Sequence, residues 1–306
     1  MTAVPEEVRA LAAERQEARA VKDFPRADAL RDRIAELGFR VVDSPAGPTF
    51  EPLAPTEPEV PRRLRPQDVE SVLDEPPTCA VTVHWIVEGW PEDVVRALAA
   101  FGASEGGRDV QYVVADVTET DPAVYGEGVE VLTLELGTGW GAARNAGLKR
   151  SRGQIVLVMD GSVEPAGDVF GPLEVALRDP SVGVCGPFGI VTHDLRRFEE
   201  SPGPAVDAIE GYLMAFRRDV LRDAGLFDEK FTWYRTADIE CSFRVRDRGL
   251  RALVVDVPVT KHEHRMWSST DPAERDRLSK RNYYRFLERF RGRTDLLTAR
   301  GDGSPD

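Results

Sequence analysis

Apolar positions fall into two helical repeats, a gap, and then a long alternation of strand-like and helix-like segments. Val8, Leu11 and Ala12 in residues 4–20, then Phe24, Ala27, Leu30, Ile34 and Leu37, return at three- and four-residue steps, which predicts a helical hairpin. Gly38 ends the second helix, FRVVD reads as a short strand, and PAGP turns the chain before Phe50. From Glu51 to Thr78 seven prolines stand among charges and few large apolar residues, the composition of an extended, semi-rigid linker in which PQDVESVL adds a turn or two of helix. Beyond it CAVTVHWIV, DVQYVVAD, VEVLTLEL and QIVLVMD, nearly apolar on both faces, alternate with PEDVVRALAAF and GAARNAGLKRS. That pattern predicts a mainly parallel sheet covered on both sides, an α/β fold. VGVCGPFGIV and ALVVDVPV read as further strands, AIEGYLMAFRRDVLRDAG as a strand joined to a short helix, and Pro272 to Arg293 as one helix. The expected division is a helical hairpin module over 1–50, a linker over 51–78, an α/β domain over 79–293 and a flexible tail over 294–306.

Composition narrows the class. The chain has 306 residues with 40 Lys+Arg against 53 Asp+Glu, and a formal charge of −13 weighs against broad nucleic-acid binding, which needs clustered basic side chains. No stretch approaches the ~18 apolar residues of a membrane span, and the N-terminus lacks the apolar core of a signal peptide, so a cytoplasmic protein is expected. Cys79, Cys185 and Cys241 stand far apart and read as buried apolar thiols, neither a disulfide framework nor a cysteine zinc site.

In such sheets ligands bind beyond the carboxyl ends of the strands, which points to Glu88, Gly89, Asp116, the stretch Gly137 to Asn145, and Asp160. GWGAARNAGLKRSRGQIVLVMDGSVEP resembles the glycosyltransferase family 2 segment with Gly-x-x-x-Ala-Arg-Asn-x-Gly and, after a strand, Asp-x-Asp; Arg144, Asn145, Gly147, Gly153 and Asp160 match it. The Gly-Leu-Phe-Asp turn and ADIECSFR further on resemble the acceptor half of the same family, and the likeness runs over about residues 79–292. The resemblance implies a GT-A-like sheet flanked by helices and inverting transfer of a sugar from a nucleotide-diphosphate donor to an acceptor hydroxyl, while the excess of 35 Arg over 5 Lys points to a GC-rich bacterial genome. That reaction needs a carboxylate to take the hydroxyl proton and positive charge to stabilise the departing diphosphate. Asp238 falls on the family's base position, with Glu240 as the supporting acid and Arg244 completing the motif. Carried over in the same way, Asp116, Glu88, Arg144, Asn145 and Asp160 are expected to meet or shape the site of the nucleotide sugar. Asp160, Ser162 and His264, with His262 nearby in KHEH, are expected to hold a divalent cation, Mg²⁺ or Mn²⁺.

The donor side departs from the family pattern. Asp160-Gly161-Ser162 lacks the second carboxylate, Ile86-Val87-Glu88-Gly89 replaces the usual end of the first strand, and VVADVTETD keeps a single acid. These departures leave open a non-catalytic scaffold or sugar-nucleotide-binding protein on the same fold. Gly137-Thr-Gly139-Trp-Gly141-Ala142, with Asp160 about 20 residues on, also fits a dinucleotide fingerprint and leaves a third reading, a dinucleotide-binding oxidoreductase. Residues 10–50, through KDFPRADALRDRI and DSPAGP, resemble the C-terminal extension of cysteinyl-tRNA synthetases, which lies near the tRNA-binding region; the resemblance implies a packing or oligomerisation module, with a nucleic-acid or partner-docking role as the alternative. Trp233 and Tyr234 are candidates for an acceptor platform or for the core, and the basic, aromatic helix RLSKRNYYRFLERFRGR for packing or a transient membrane contact.

Overall fold

In the computed structural model, which describes residues 4–44, 47–53 and 63–298, the chain divides into two units, Met1–Pro61 and Arg62–Asp306. The first holds α1 (Glu6–Ala20), α2 (Phe24–Glu36), β1 (Phe39–Ser44) and β2 (Gly47–Pro52). The two strands pair antiparallel from Phe39↔Pro52 to Ser44↔Gly47. Asp23 starts α2 by accepting the Arg26 N–H at 3.2 Å. Val8, Ala12, Ile34, Phe39 and Val41 form its core. Phe24, counted on the apolar face by its spacing, is 58% exposed at the first turn of α2, where no turn precedes it to pack against.

The second unit continues in chain order with β3 (Cys79–Val87), α3 (Pro91–Ser104), β4 (Val110–Asp116), β5 (Val129–Thr133), α4 (Trp140–Lys149), β6 (Gly153–Met159), β7 (Val163–Pro165), α5 (Phe170–Leu177) and β8 (Val182–Gly186). There follow β9 (Gly189–Thr192), β10 (Phe198–Ser201), β11 (Ala205–Val206), β12 (Ala208–Ile209), β13 (Leu213–Arg217), α6 (Arg218–Ala224) and α7 (Ala237–Asp247). Last come β14 (Arg251–Val254), β15 (Val259–Lys261), α8 (Arg265–Ser269) and α9 (Pro272–Phe290). The main sheet runs β11-β14-β8-β13-β6-β3-β4-β5. β6, β3, β4 and β5 are parallel, and β13 lies antiparallel between β6 and β8. Alternate strand residues feed opposite faces, as pleating requires. Leu157, Met159, Leu213 and Ala215 pack with Phe101 and Phe170 on the side of α3 and α5. Val156, Val158, Met214 and Phe216 pack with Leu148, Phe231 and Cys241 on the side of α4, α6 and α7.

Two expected boundaries move. Of the linker, residues 54–62 lie outside the described residues, but 63–78 pack on the α/β unit. Leu64 bridges Leu134 beyond β5, Arg63 donates to Leu134 O at 2.8 Å and Thr118 O at 2.9 Å, and Val69, Val72 and Leu73 are buried. Of the tail, 299–306 lie outside the described residues, whereas Leu296 is buried in a 3₁₀ turn and Thr298 N–H donates to Asp207 at 2.6 Å. The basic, aromatic helix is α9, which seats Phe286 and Phe290 on Phe243 of α7. No helix among the described residues is long and apolar enough to cross a membrane. Cys185 and Cys241 are buried free thiols whose pKa values burial pushes up to about 12, whereas Cys79, expected to be buried too, is only half-buried because it is the first residue of β3.

Candidate active site

The parallel strands deliver Glu88, Asp116 and Asp160 at one edge of the sheet, each at or just beyond a carboxyl end. Because β13 runs the other way, its start lies at that same edge: Leu213 pairs with Met159, and Asp160 N–H donates to Tyr212 O at 3.1 Å. β15 pairs with β7, His262 N–H donates to Ser162 O at 2.7 Å, and the chain then places His264 beside Asp160. The expected trio Asp160, Ser162 and His264 is therefore brought together. Ser162 donates its N–H (2.8 Å) and its hydroxyl to Asp160 Oδ1, and His264 Nε2 lies 3.3 Å from Asp160 Oδ2. His264 Nδ1 accepts the Trp267 N–H at 3.2 Å and caps α8, so the ring proton sits on Nε2 and points at Asp160. Burial opposes the charged form of His264, but Asp160 prevails and raises its pKa. Asp160 shifts downward: burial works against the carboxylate, and His264 and Ser162 together outweigh it.

Glu88 lines a small hollow of about 60 Å³ with Asp160, Ser162 and His264. Burial raises its pKa to about 7, against the pull of Arg144 and with the help of Asp160. Arg144 is 3% exposed and donates to His84 O and Met159 O, both at 3.1 Å, tying the ends of β3 and β6 together while its Nε has no partner. Desolvation brings that guanidinium down to about 10. Trp90, φ 51°, follows this acid, a backbone conformation that costs a non-glycine residue about 1–3 kcal/mol and clusters at functional sites.

Asp238 is the second residue of α7, whose N-cap Thr236 also holds positive φ (71°). Its Oδ2 accepts the Gly211 N–H at 2.8 Å and its Oδ1 the Ile239 N–H at 2.9 Å. Burial raises its pKa despite these bonds, which suits a proton acceptor. Asp238 lines a cavity of about 630 Å³ that also reaches Asp160, His264, Tyr212 and Tyr234.

Other expected residues stand elsewhere. Glu240 is 2% exposed and does not line the cavity; it takes Arg244 Nε at 2.9–3.0 Å and Arg289 at 3.1 Å, a buried clamp between α7 and α9. Its supporting part is thus structural, because two residues along a helix point to different sides. Asp116, 1% exposed, is closed off from a ligand: Thr118 N–H and hydroxyl and the Tyr125 hydroxyl take its oxygens at 2.6–2.7 Å. Asn145 binds both the N–H and the carbonyl of Phe227 (2.9 and 2.8 Å), holding the Gly-Leu-Phe-Asp turn rather than facing the cavity. At the start of α4 Gly141 N–H donates to Phe231 O at 2.8 Å, and an added Cβ there would meet Asp228 O at 2.7 Å. The amide that a dinucleotide pyrophosphate would need is spent on the main chain, which removes the basis of that reading. Trp233 is core, 7% exposed, whereas Tyr234 stacks on His264 at 4.5 Å. His262 turns to Glu164 at 3.1 Å. Sequence reasoning missed Glu210, Tyr212 and Lys261, which the antiparallel β13 and the β7–β15 pair bring in; only EGY ahead of an apolar run marked the first two.

Among the described residues no three His, Cys, Asp or Glu side chains converge on a metal position. Asp160 and His264 offer one carboxylate and one imidazole, a set that fits a hard cation keeping waters and substrate phosphate as its other ligands.

Residues 112–241 match the family model of glycosyl transferase family 2, and residues 1–47 that of the cysteinyl-tRNA ligase anticodon binding domain. The N-terminal stretch is 56% identical over 41 residues to a cysteine–tRNA ligase of Solidesulfovibrio magneticus (13% of this chain, 8% of the relative) and 52% identical over 50 residues to one of Chlamydia pneumoniae (16% and 10%). The chain thus spans at most a tenth of those curated relatives. The crystal structure of GalNAc-T7 with UDP, GalNAc and Mn²⁺ is similar at TM-score 0.54 and 17% identity, covering 70% of this chain and 48% of that one. The mannosyltransferase PcManGT from Pyrobaculum calidifontis, in complex with GDP-Man and Mn²⁺, is similar at TM-score 0.50 and 21% identity, covering 75% and 71%. At these identities the likeness shows the fold, a GT-A-like mixed sheet flanked by helices.

Proposed function

From the premise that residues 112–241 carry a glycosyl transferase family 2 domain, we propose that this chain moves a sugar from a nucleotide-diphosphate donor to an acceptor hydroxyl with inversion. The observation that carries the reading is that Asp238 and Asp160 line one cavity, a proton acceptor and a donor-side acid on elements far apart in sequence. Asp238 takes the acceptor proton, held in place by the Gly211 and Ile239 N–H groups. Inversion follows if the hydroxyl beside Asp238 attacks the face of the sugar opposite the diphosphate. Arg144 fixes the ends of β3 and β6 and so the spacing of Glu88 and Asp160. Asp160 and His264 would hold a divalent cation, which offsets the charge that develops on the leaving diphosphate. Replacement of Asp238 by Asn is expected to cut transfer about 10²–10⁴-fold, the usual worth of a positioned base, and to leave nucleotide-sugar binding in place. An unchanged transfer rate in that variant refutes the assignment.

A second reading, a sugar-nucleotide-binding scaffold, is favoured by the closure of Asp116 and by Ser162 in place of a carboxylate. It predicts donor binding without hydrolysis or transfer. For the N-terminal unit we propose a partner-docking or packing role. Its described residues carry eight basic against ten acidic side chains, a poor surface for phosphates.

A further inference from the structure

The buried stripe of α9 consists of Asn282, Phe286 and Phe290, each four residues from the next. The two rings pack on Phe243 of α7, whereas Asn282, fully buried, faces main chain. An asparagine in mid-helix is a poor helix former, and burying its amide is unfavourable unless the polar atoms find partners. Its Nδ2 gives both protons to the loop ahead of α7, donating to Trp233 O at 2.7 Å and to Arg235 O at 2.8 Å. The carbonyl between them, Tyr234 O, accepts the Ala237 N–H at 3.2 Å. Three successive carbonyls are thus fixed, and the last belongs to the peptide that leads into Thr236, whose positive φ a β-branched residue holds only where its surroundings impose it. The setting of that peptide decides where α7 begins and hence where Asp238 points, which is toward the cavity with Oδ2 on the Gly211 N–H at 2.8 Å. α9 also grips the flanks of the turn: Arg281 donates to the Thr232 hydroxyl before it and Arg289 to Glu240 after it.

Resting on the transferase reading above, we propose that Asn282 is the positioning residue for Asp238: it holds the left-handed turn at Thr236 from behind, and so aims the carboxylate at the acceptor hydroxyl, while itself standing outside the cavity lining. Two carbonyls converging on one point need two N–H donors there, which an amide supplies and neither a carboxylate nor a hydrocarbon of similar size does. With those donors gone, the Arg235–Thr236 peptide is free to rotate, Thr236 leaves the left-handed region, and Asp238 lets go of the Gly211 amide.

The test compares the full chain with Asn282→Asp, with Asn282→Leu should the first variant not fold, and with Phe290→Leu, which weakens the same helix without touching the loop. Amide exchange resolved by residue is the first measurement, and Asp238→Ala sets the rate of a Gly211 amide that has lost its partner. In the Asn282 variant the Gly211 N–H is expected to exchange at least tenfold faster, approaching that rate, while the amides of β6 keep theirs; Phe290→Leu leaves Gly211 unchanged relative to β6. Hydrolysis of UDP-glucose, UDP-N-acetylglucosamine and GDP-mannose with Mn²⁺ is the second. For whichever donor the parent turns over, the Asn282 variant is expected to lose about 10–100-fold in kcat at unchanged KM, the effect of a misplaced reacting group. An unchanged Gly211 rate, the same local loosening in Phe290→Leu, or a loss that appears only in KM overturns the inference. A parent that turns over none of the three donors counts against the transferase reading, and the Gly211 exchange then still decides whether Asn282 places Asp238.

Discussion

Glu88→Gln is expected to stabilise the α/β unit, and to do so only at high pH. Glu88 is partly buried at the end of β3, and burial raises its pKa from the ordinary 4.5 to about 7 against the attraction of Arg144. An acid raised in the folded state is protonated in both states below 4.5 and costs nothing there. Between 4.5 and 7 the unfolded chain ionises first, and above 7 the folded protein carries the whole difference, about 3 kcal/mol from about 2.5 pH units. Glutamine keeps the shape and removes the charge. The variant should therefore match the parent near pH 4 and exceed it by up to about 3 kcal/mol at pH 8, with the gap opening between pH 4.5 and 7. For a unit of this size that corresponds to a melting temperature about 6–12 °C higher.

The assay is thermal unfolding of both proteins, followed by near-ultraviolet dichroism in steps from pH 4 to 9. His264 titrates in both proteins, but Glu88 is among the charges that raise its pKa, so the difference also carries a smaller change in the titration of His264. A gap that is constant with pH, or a variant less stable than the parent at pH 8, refutes the claim that the fold holds an unfavourable charge at this position. A gap of the expected form means that the site keeps an acid at a cost in stability, as functional sites commonly do.

Glu240→Gln is expected to lower stability by about 3 kcal/mol, because it leaves the buried Arg244 without its charge partner; a loss under 1 kcal/mol in denaturant unfolding would mean that the clamp is dispensable. Binding of Mn²⁺ with UDP or GDP is expected to change Trp267 fluorescence, judged against a Trp267→Phe variant. A cation on His264 Nε2 displaces its proton to Nδ1, which then no longer accepts the Trp267 N–H. An unchanged Trp267 signal at saturating Mn²⁺, with binding verified by electron paramagnetic resonance, would show that His264 is not a ligand.

The parallel half of the sheet was legible because strands buried on both faces write continuous apolar runs, and their ends located Glu88, Asp116 and Asp160 without any contact information. The roles of those ends were less legible, since a carboxylate at a strand terminus can face a ligand or be consumed locally. Asp116 is consumed by Thr118 and Tyr125, a bond within the TETDPAVY loop that periodicity does not encode. The same holds for Glu240, whose partner Arg289 lies 49 residues away.

What the sequence hid most completely was the direction of one strand. LMAFR reads the same whether it runs with its neighbours or against them, yet only the antiparallel choice brings its first residues to the ligand edge. Run parallel, β13 would put Glu210, Gly211 and Tyr212 at the opposite edge, Asp238 would lose the Gly211 N–H, and Asp160 its bond to Tyr212. The reversal at β13 thus joins Asp160, which comes from a parallel strand end, to Asp238, which comes from a helix start. It also explains why the approach of Glu210 to Asp238 is invisible as a motif: the two stand 28 residues apart and meet because that strand turns back.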